Sequence, residues 1–275
     1  MKTKEIYEKI INSIESAISL ANGEVKIVKK SIENINALTW SSNIKVQTGF
    51  CHQKPYAFFV MPDKLFNKVK TELGDFLFVV KYKDNNKIID RRALFFQAKY
   101  NNMGNPFYIE LHQFHFYKQI DKIDFRFGNS VYKNGGYKPI LWSKISCPNN
   151  FGDYVLLGND FAVDILTKEI GNQYKHKKGG HFTFDINSIC DFWHFRKHHD
   201  LFCCGDCSPL FDFLTPFGKG NNINGQFEHF IDLIYKRLGM IPDPPEEHEG
   251  FWEESDGSGF GIIEITIDNT ENIKD

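Results

Sequence analysis

Three polar residues stand at the ends of two apolar runs and are of the types that take part in metal-assisted reactions. Asp75 directly precedes the run Phe76–Val80. Gln97 and Lys99 follow the run Ala93–Phe96. A carboxylate and an amide oxygen can bind a hard divalent cation such as Mg²⁺ or Mn²⁺. A lysine beside them can orient a water molecule or stabilise charge that develops at phosphorus, so the pattern indicates metal-assisted hydrolysis.

The two apolar runs are predicted to form a β-hairpin. The polar residues from Asp84 to Lys87 make the turn between them. If the hairpin is symmetric about Lys87, Asp75 lies opposite Lys99. Alternation along a strand puts Gln97 on the same face as Lys99, so the three polar side chains are expected to converge. An ordinary cross-strand ion pair between the aspartate and the lysine is the alternative.

A helix is predicted after the hairpin. Asn105 is a suitable N-cap, and Pro106 is a suitable first helical residue. Gln113 and Tyr117 are four residues apart, so they would lie on one face of this helix. A strand that ends in a lysine and is followed by a Gln-x-x-x-Tyr helix is a narrower pattern than either part alone.

Together these segments resemble the motifs of the PD-(D/E)xK nuclease superfamily. The Gln97-Ala98-Lys99 triplet is similar to the Gln-x-Lys variant of Mrr-like restriction enzymes, and residues 113–117 are similar to the helix motif of RecB-type nucleases. The resemblance is confined to residues 74–117. It implies a restriction-endonuclease-like α/β (α+β) fold with a mixed sheet flanked by helices. It also implies a divalent metal and hydrolysis of DNA phosphodiester bonds.

The resemblance assigns a role to each matched residue. Asp75 matches the metal-binding acid, Gln97 the second ligand position and Lys99 the catalytic lysine. Gln113 and Tyr117 match the supporting pair on the helix. Because Gln97 stands where the family usually has a carboxylate, the site has less negative charge to attract Mg²⁺. An inactive nuclease-like subunit that binds nucleic acid or takes part in assembly is therefore the alternative function.

A further acid from an upstream helix is often part of the family's site. Glu72 is the first candidate, at the end of a helix predicted from Asp63 to Leu73. Glu8 and Glu15, on the first predicted helix, are the other candidates.

The segment Cys190–Cys207 is a second candidate site, with four cysteines and three histidines. Pairs one helical turn apart and a Cys-x-x-Cys spacing suit a tetrahedral zinc site. The candidate ligands are Cys190, His194, His198, His199, Cys203, Cys204 and Cys207. The spacing between pairs is shorter than in ordinary zinc fingers, so buried thiols and imidazoles are the alternative. A zinc-stabilised interaction protein is the third functional class.

Charge gives a weaker indication of a nucleic-acid partner. The net charge is −2, so the chain as a whole is not basic. A loop at 174–181 carries Lys175, Lys177 and Lys178 between glycines and histidines and could bind phosphates. A solvated surface loop is the alternative. The resemblance adds an expectation of double-stranded DNA as substrate, a role in restriction or defence with a protein partner, and a homodimer that cuts both strands.

Composition predicts a soluble globular protein. With 275 residues, 41% of them hydrophobic, the chain can bury a substantial core, and its 27 phenylalanines predict aromatic packing. The first residues lack the apolar stretch of a signal peptide, and no run reaches the roughly 18 apolar residues of a membrane span. A cytoplasmic location without membrane association is therefore expected.

The remaining elements follow from periodicity. Residues 1–125 are predicted to form the nuclease-like core, and residues 126–275 an elaboration within the same globular unit. Isoleucines at 6, 10, 14 and 18 predict a helix that ends near Gly23. Residues 25–60 are β-leaning, with strands at 44–46 and 56–60.

Four more elements are predicted in the second half of the chain. A strand is expected at 154–157, followed by a helix that starts near Asp160. A helix is expected from Asn224 to Gly239, with a strand at 261–267 after it.

Overall fold

A computed structural model describes most of the chain. The described residues are 2–51, 53–60, 68–119, 125–127, 140–142, 151–174, 177–178, 180–188, 208–223, 225–237, 240, 252–254 and 259–268. The predicted zinc segment and Lys175 lie outside these ranges.

The described ranges contain α-helices and many short strands. The helices are α1 (Lys2–Leu20), α2 (Glu24–Asn36), α3 (Leu111–Gln119), α4 (Thr167–Asn172), α5 (Pro209–Phe213) and α6 (Gly225–Arg237). The strands are β1 (Ile44–Cys51), β2 (Gln53–Val60), β3 (Lys68–Glu72), β4 (Phe76–Asp84), β5 (Lys87–Tyr100), β6 (Phe107–Glu110), β7 (Phe125–Phe127), β8 (Ile140–Trp142), β9 (Gly152–Leu157), β10 (Ala162–Ile165), β11 (Lys177–Lys178), β12 (His181–Phe184), β13 (Asn221–Asn222), β14 (Trp252–Glu254) and β15 (Phe260–Asp268).

The main sheet is mixed and has seven strands. Six of them run in the order β1-β15-β4-β5-β9-β10, and β13 also pairs with β5. The β15–β4 and β5–β9 pairs are parallel, and the other pairs are antiparallel. Strands from both sides of residue 125 therefore belong to one sheet.

Helices cover both faces of this sheet. One apolar cluster joins α1, α2 and α5 to one face, and includes Phe76, Phe78 and Phe96. The other joins α3, α4 and α6 to the opposite face, and includes Leu77, Phe95 and other residues. Because both faces are covered, β4 is apolar on both sides rather than alternating. The predicted mixed sheet flanked by helices is confirmed.

Two smaller sheets lie beside the main one. Strands β11, β12 and β6 form a three-stranded antiparallel sheet. Strands β14, β2, β7 and β8 form the other, with β3 paired to β2. None of the helices in the described ranges is both long and apolar enough to cross a membrane.

The predicted hairpin is present, but its register differs from the prediction. Its turn is Asn85-Asn86, whose φ angles of 48° and 62° are those of a two-residue type I′ turn. Asp84 pairs with Lys87, and β4 pairs Phe76 with Phe96. The predicted symmetry about Lys87 is therefore wrong.

The predicted helix boundary after the hairpin is also wrong. Residues 107–110 form β6, and α3 begins at Leu111. Asn105 does not cap that helix. Its amide nitrogen donates to Asp185 Oδ1 at 2.6 Å, and its oxygen accepts from the Ile186 N–H at 3.1 Å. The pairing of β6 with β12 is what holds this segment extended.

Three other predictions of secondary structure differ from the structure. Residues 68–72 are strand β3, not the end of a helix. Residues 24–36 form helix α2 within the segment that reads as β-leaning, and Gly23 is its N-cap residue. Strand β10 occupies 162–165, where a helix was expected to begin. The predictions of α1, β1, β2, β9, α6 and β15 are confirmed, with Asn224 outside the described residues.

Candidate active site

Asp75 lies where three central strands of the main sheet meet. Its N–H donates to the Phe96 carbonyl at 2.9 Å, and its own carbonyl accepts from the Gly261 N–H at 2.9 Å. These bonds tie the residue to β5 on one side and to β15 on the other. The side chain is fully buried. The backbone of the sheet therefore fixes the position of this acid.

The carboxylate of Asp75 is held by two groups on β5. Its Oδ2 atom accepts from the Gln97 side-chain nitrogen and, at 2.8 Å, from the Ala98 N–H. The register explains this contact, because Asp75 precedes Phe76, whose partner is Phe96. Asp75 therefore meets Gln97, not Lys99 as the sequence alone predicted.

Gln97 links Asp75 to helix α3. Its Oε1 atom accepts from Gln113 Nε2 at 2.9 Å, while its Nε2 atom donates to Asp75. All three side chains are buried, at no more than 2% exposure. A carboxylate only accepts hydrogen bonds, so the amide nitrogen of Gln97 has to face Asp75. The result is a continuous polar chain from β4 through β5 to α3.

Tyr117 holds the start of β4 from the same helix. Its hydroxyl donates to the Leu73 carbonyl at 2.6 Å. Glycines make room for the ring: a Cβ at Gly74 would lie 2.9 Å from the Tyr117 hydroxyl, and a Cβ at Gly152 would lie 2.7 Å from its Cζ atom. Burial, with smaller contributions from neighbouring acids including Asp75, raises the pKa of Tyr117, so the hydroxyl keeps its proton.

Lys99 lies on β5 next to the buried hydrogen-bonded side chains of Asp75, Gln97 and Gln113. It is two residues beyond Gln97, so alternation places both side chains on one face. The Lys99 side chain is 11% exposed, and its Nζ atom lies 3.8 Å from Glu110 Oε2. This ammonium group therefore lies between the buried Asp75 carboxylate and a partly exposed group of residues around Glu110, called the rim below.

The rim contains two residues that the sequence did not reveal. Glu110 ends β6, with its side chain 47% exposed. His112 Nε2 lies 3.7 Å from Glu110 Oε2. Burial lowers the pKa of His112, while Glu110 and Glu72 oppose that effect and Lys99 adds to it. The signal available in the sequence was the Glu-x-His pair directly before Gln113, which the wrongly placed helix start obscured.

Glu72 also lies near this group. It ends β3, where Tyr56 is its register partner, and its side chain is partly exposed. Its charge adds a small contribution to the raised pKa of Tyr117 and partly opposes the lowering of the pKa of His112. The structure therefore brings Glu72 to the same region as Lys99, although on a strand rather than on a helix.

The two other candidate acids lie elsewhere. Glu8 is 3.8 Å from Lys4 on the surface of α1. Glu15 accepts from the Ala162 N–H at 3.2 Å, also on the α1 side of the sheet. Helix α1 packs on the face opposite α3. These acids are not brought to the site.

Tyr154 is a buried residue of the site that sequence reasoning missed. It is the register partner of Gln97 on β9, and its ring lies edge-on to Tyr117 at 5.6 Å between centroids. Burial raises its pKa, with contributions from Glu110 and Asp153. Within the described part of the chain its hydroxyl has no hydrogen-bond partner. It is thus a neutral donor placed on the face that carries Gln97.

The oxygen atoms of this region are of the kind that Mg²⁺ prefers. Asp75 and Glu72 provide carboxylates, and the Gln97 amide oxygen can accept a second interaction beside that of Gln113. Among the described residues no group of three or more His, Cys, Asp and Glu side chains is arranged to hold a metal.

The predicted basic loop lies close to this site along the small sheet. Lys177 and Lys178 form β11, which pairs with β12, and β12 pairs with the strand that ends in Glu110.

Comparisons with protein-family models, curated proteins and solved structures gave no match.

Proposed function

We propose that the chain is a metal-dependent nuclease that hydrolyses DNA phosphodiester bonds. The observation that carries the proposal is the direct contact of Asp75 with Gln97, with Lys99 on the same face of β5. The resemblance of these residues to the PD-(D/E)xK superfamily supports it. A mixed sheet with helices on both faces suits the restriction-endonuclease-like fold that the resemblance implies.

Each residue has a role that follows from its position. Mg²⁺ or Mn²⁺, held by Asp75, Gln97 and Glu72, would activate water and offset the charge of the phosphate. Lys99 would stabilise negative charge on the phosphate, because its ammonium group lies at the boundary between the buried region and the rim. Gln113 fixes the amide of Gln97, and the Tyr117 hydroxyl fixes the start of β4.

The first experiment is a cleavage assay with purified protein. Supercoiled, linear and single-stranded DNA and RNA are incubated with Mg²⁺ or Mn²⁺, and Asp75→Asn and Lys99→Met are compared with the unchanged protein. Lys87→Met is the matched control, because Lys87 lies exposed at the other end of the same strand. Circular dichroism and thermal melting confirm that each variant is folded.

The outcomes separate the candidate functions. Metal-dependent cleavage that is lost in Asp75→Asn and Lys99→Met, and kept in Lys87→Met, supports the nuclease. Absence of cleavage on every substrate by folded protein overturns the proposed activity.

A second function is favoured by the orientation of Gln97. Its amide nitrogen donates to Asp75 Oδ2, an oxygen atom that a metal-binding aspartate would offer to the cation. A subunit that keeps this hydrogen bond permanently would bind nucleic acid, or assemble with a partner, without cutting. Nucleic-acid binding that persists in Asp75→Asn, together with absence of cleavage, is the result expected for that subunit.

The resemblance leaves further predictions about the biological setting. Double-stranded DNA as substrate, a role in restriction or defence with a protein partner, and a homodimer stay predictions. So does zinc binding by the segment Cys190–Cys207, which metal analysis of the purified protein would test.

A further inference from the structure

We propose that the outer face of the three-stranded sheet β11-β12-β6 is a platform on which an unpaired base of a single-stranded nucleic acid stacks. This inference rests on the proposed function and narrows its substrate class. It is carried by an exposed tyrosine on β6 and by the contact of that strand with Lys99.

The small sheet has one buried and one open face. Phe107 and Ile109 point into the core from β6, and Phe182 and Phe184 do so from β12. Alternation puts the residues between them on the outer face. This outer face, called the platform below, comprises Tyr108, Glu110, His181 and Thr183, with Tyr108 opposite Thr183 and Glu110 opposite His181.

Tyr108 is the centre of the platform. The residue is 60% exposed, although neighbouring strand residues are buried. Its ring meets the His181 ring edge to face, with centroids 5.5 Å apart and planes at 76°. Such a contact steadies the ring while leaving aromatic surface open to solvent. Base stacking on an exposed aromatic ring tolerates any sequence, because every base has a π-face.

The platform leads directly to the candidate reaction centre. Glu110 is two residues after Tyr108 on β6, a distance of about 7 Å along a strand. Glu110 Oε2 lies 3.8 Å from Lys99 Nζ and 3.7 Å from His112 Nε2. A nucleotide whose base lies on Tyr108 therefore has its phosphates within reach of Lys99.

The other edge of the platform supplies positively charged residue types. Lys178 is the register partner of His181, and Lys177 that of Phe182. A lysine position in register with the platform residue His181, together with Lys99 on the opposite side, suits a phosphate backbone that crosses the sheet. In a duplex the bases stack on one another and are paired, so their faces cannot reach Tyr108. The platform therefore favours unpaired strands over duplex.

The test is binding without catalysis. Fluorescein-labelled single-stranded DNA of mixed sequence, RNA of the same sequence and the corresponding DNA duplex are titrated with protein in EDTA, and anisotropy is measured. Tyr108→Ala is compared with Tyr108→Phe, which keeps the ring. Phe217→Ala is the matched control, because Phe217 is also an exposed aromatic residue.

We expect Tyr108→Ala to weaken single-strand binding about tenfold or more, since stacking of one base on an aromatic ring is of that strength. Tyr108→Phe and Phe217→Ala should bind as the unchanged protein does, and duplex binding should change little in all variants. A loss confined to DNA or to RNA identifies which strand the platform takes. Equal loss with both assigns it to single strands in general.

Three results overturn the inference: unchanged single-strand binding in Tyr108→Ala, equal weakening of duplex binding, or no binding of single strands by the unchanged protein. The measurement is independent of the proposed activity. Binding that depends on Tyr108 without any cleavage would support the platform and overturn the nuclease. Cleavage with Tyr108-independent binding would do the reverse.

Discussion

Replacement of Gln97 by glutamate gives a quantitative test of the contact with Asp75. In the unchanged protein the Gln97 amide donates to the Asp75 carboxylate, and both side chains are fully buried. Gln97→Glu puts a second carboxyl group in the same place. Two adjacent buried carboxyl groups do not both ionise easily, so the pair is expected to hold one proton.

The free-energy cost of keeping that proton bound sets the loss of stability expected for Gln97→Glu. A glutamate of ordinary pKa near 4.3 that must stay protonated at pH 7.5 costs about 4 kcal/mol, at 1.36 kcal/mol for each pH unit. The protonated carboxyl of Gln97→Glu can donate to Asp75, so little hydrogen-bond energy is lost below about pH 4.5. The destabilisation should therefore be small at low pH and increase by about 1.4 kcal/mol for each pH unit above the ordinary pKa of glutamate.

The assay is urea denaturation of Gln97→Glu at several pH values, with and without Mg²⁺. A cation held by the two carboxylates would remove the need for the proton, and saturation at 100 times Kd would recover about 2.7 kcal/mol. Gln97→Met is the control, because it removes the hydrogen bonds without adding a charge. Mg²⁺ should stabilise Gln97→Met less than it stabilises Gln97→Glu, because methionine offers no oxygen ligand at position 97.

Two outcomes for Gln97→Glu would contradict different parts of the proposed site. If Gln97→Glu is as stable as the unchanged protein at pH 7.5 without metal, position 97 does not share a buried site with Asp75. If the variant shows the predicted pH dependence but no effect of Mg²⁺, the contact is correct and the region does not bind the cation. That second result would favour the non-cleaving subunit.

Two further predictions concern stability away from the site. Arg92 donates two bonds to Asp90, at 2.9 and 3.0 Å, and one to the Thr215 carbonyl at 2.7 Å. Arg92→Met should lower the free energy of unfolding by about 3–5 kcal/mol, because it leaves a buried carboxylate unpaired. Arg91 forms an ion pair with Glu228, whose side chain is 49% exposed, so Arg91→Met leaves a carboxylate that water can solvate. Arg91→Met should therefore cost about 0–1 kcal/mol in the same urea titration, and equal losses in the two variants would contradict this. Burial raises the pKa of Tyr82 to about 12 from an ordinary value near 10. The folded state therefore holds this proton more tightly, so its contribution is complete below pH 10 and is lost as the pH rises towards 12. Tyr82→Phe should lose less stability than the unchanged protein between pH 9.5 and 11.5, and parallel stability curves would contradict this.

The sequence predicted elements whose periodicity is local, and misplaced those that depend on distant partners. The isoleucine stripe of α1 and the apolar run of β15 each follow one period, and both are present. Helix α2 has its buried stripe at Ile27, Val28 and Ile32, but its β-branched residues concealed the helical period. Strand β6 is extended because β12, more than 70 residues later, pairs with it. No local signal carries that information.

The candidate site shows the same division. Asp75, Gln97 and Lys99 were found because residue type and spacing along one hairpin sufficed. Their mutual contacts were predicted wrongly because the hairpin was assumed to be symmetric about Lys87. The turn is in fact formed by two asparagines with positive φ, Asn85 and Asn86. Glu110, His112 and Tyr154 reach the site through β6, α3 and β9, and their proximity depends on tertiary structure.

The position of β15 determines when strand β4 can gain its second partner strand during synthesis. Strand β4 lies between β5, which follows it at once, and β15, which begins at residue 260. During synthesis the hairpin can form early, yet one edge of β4 lacks its partner strand until β15 has been made. The Gly261 N–H that binds the Asp75 carbonyl arrives only then. Until that moment the growing chain carries an open, strongly apolar strand edge of the kind that chaperones protect.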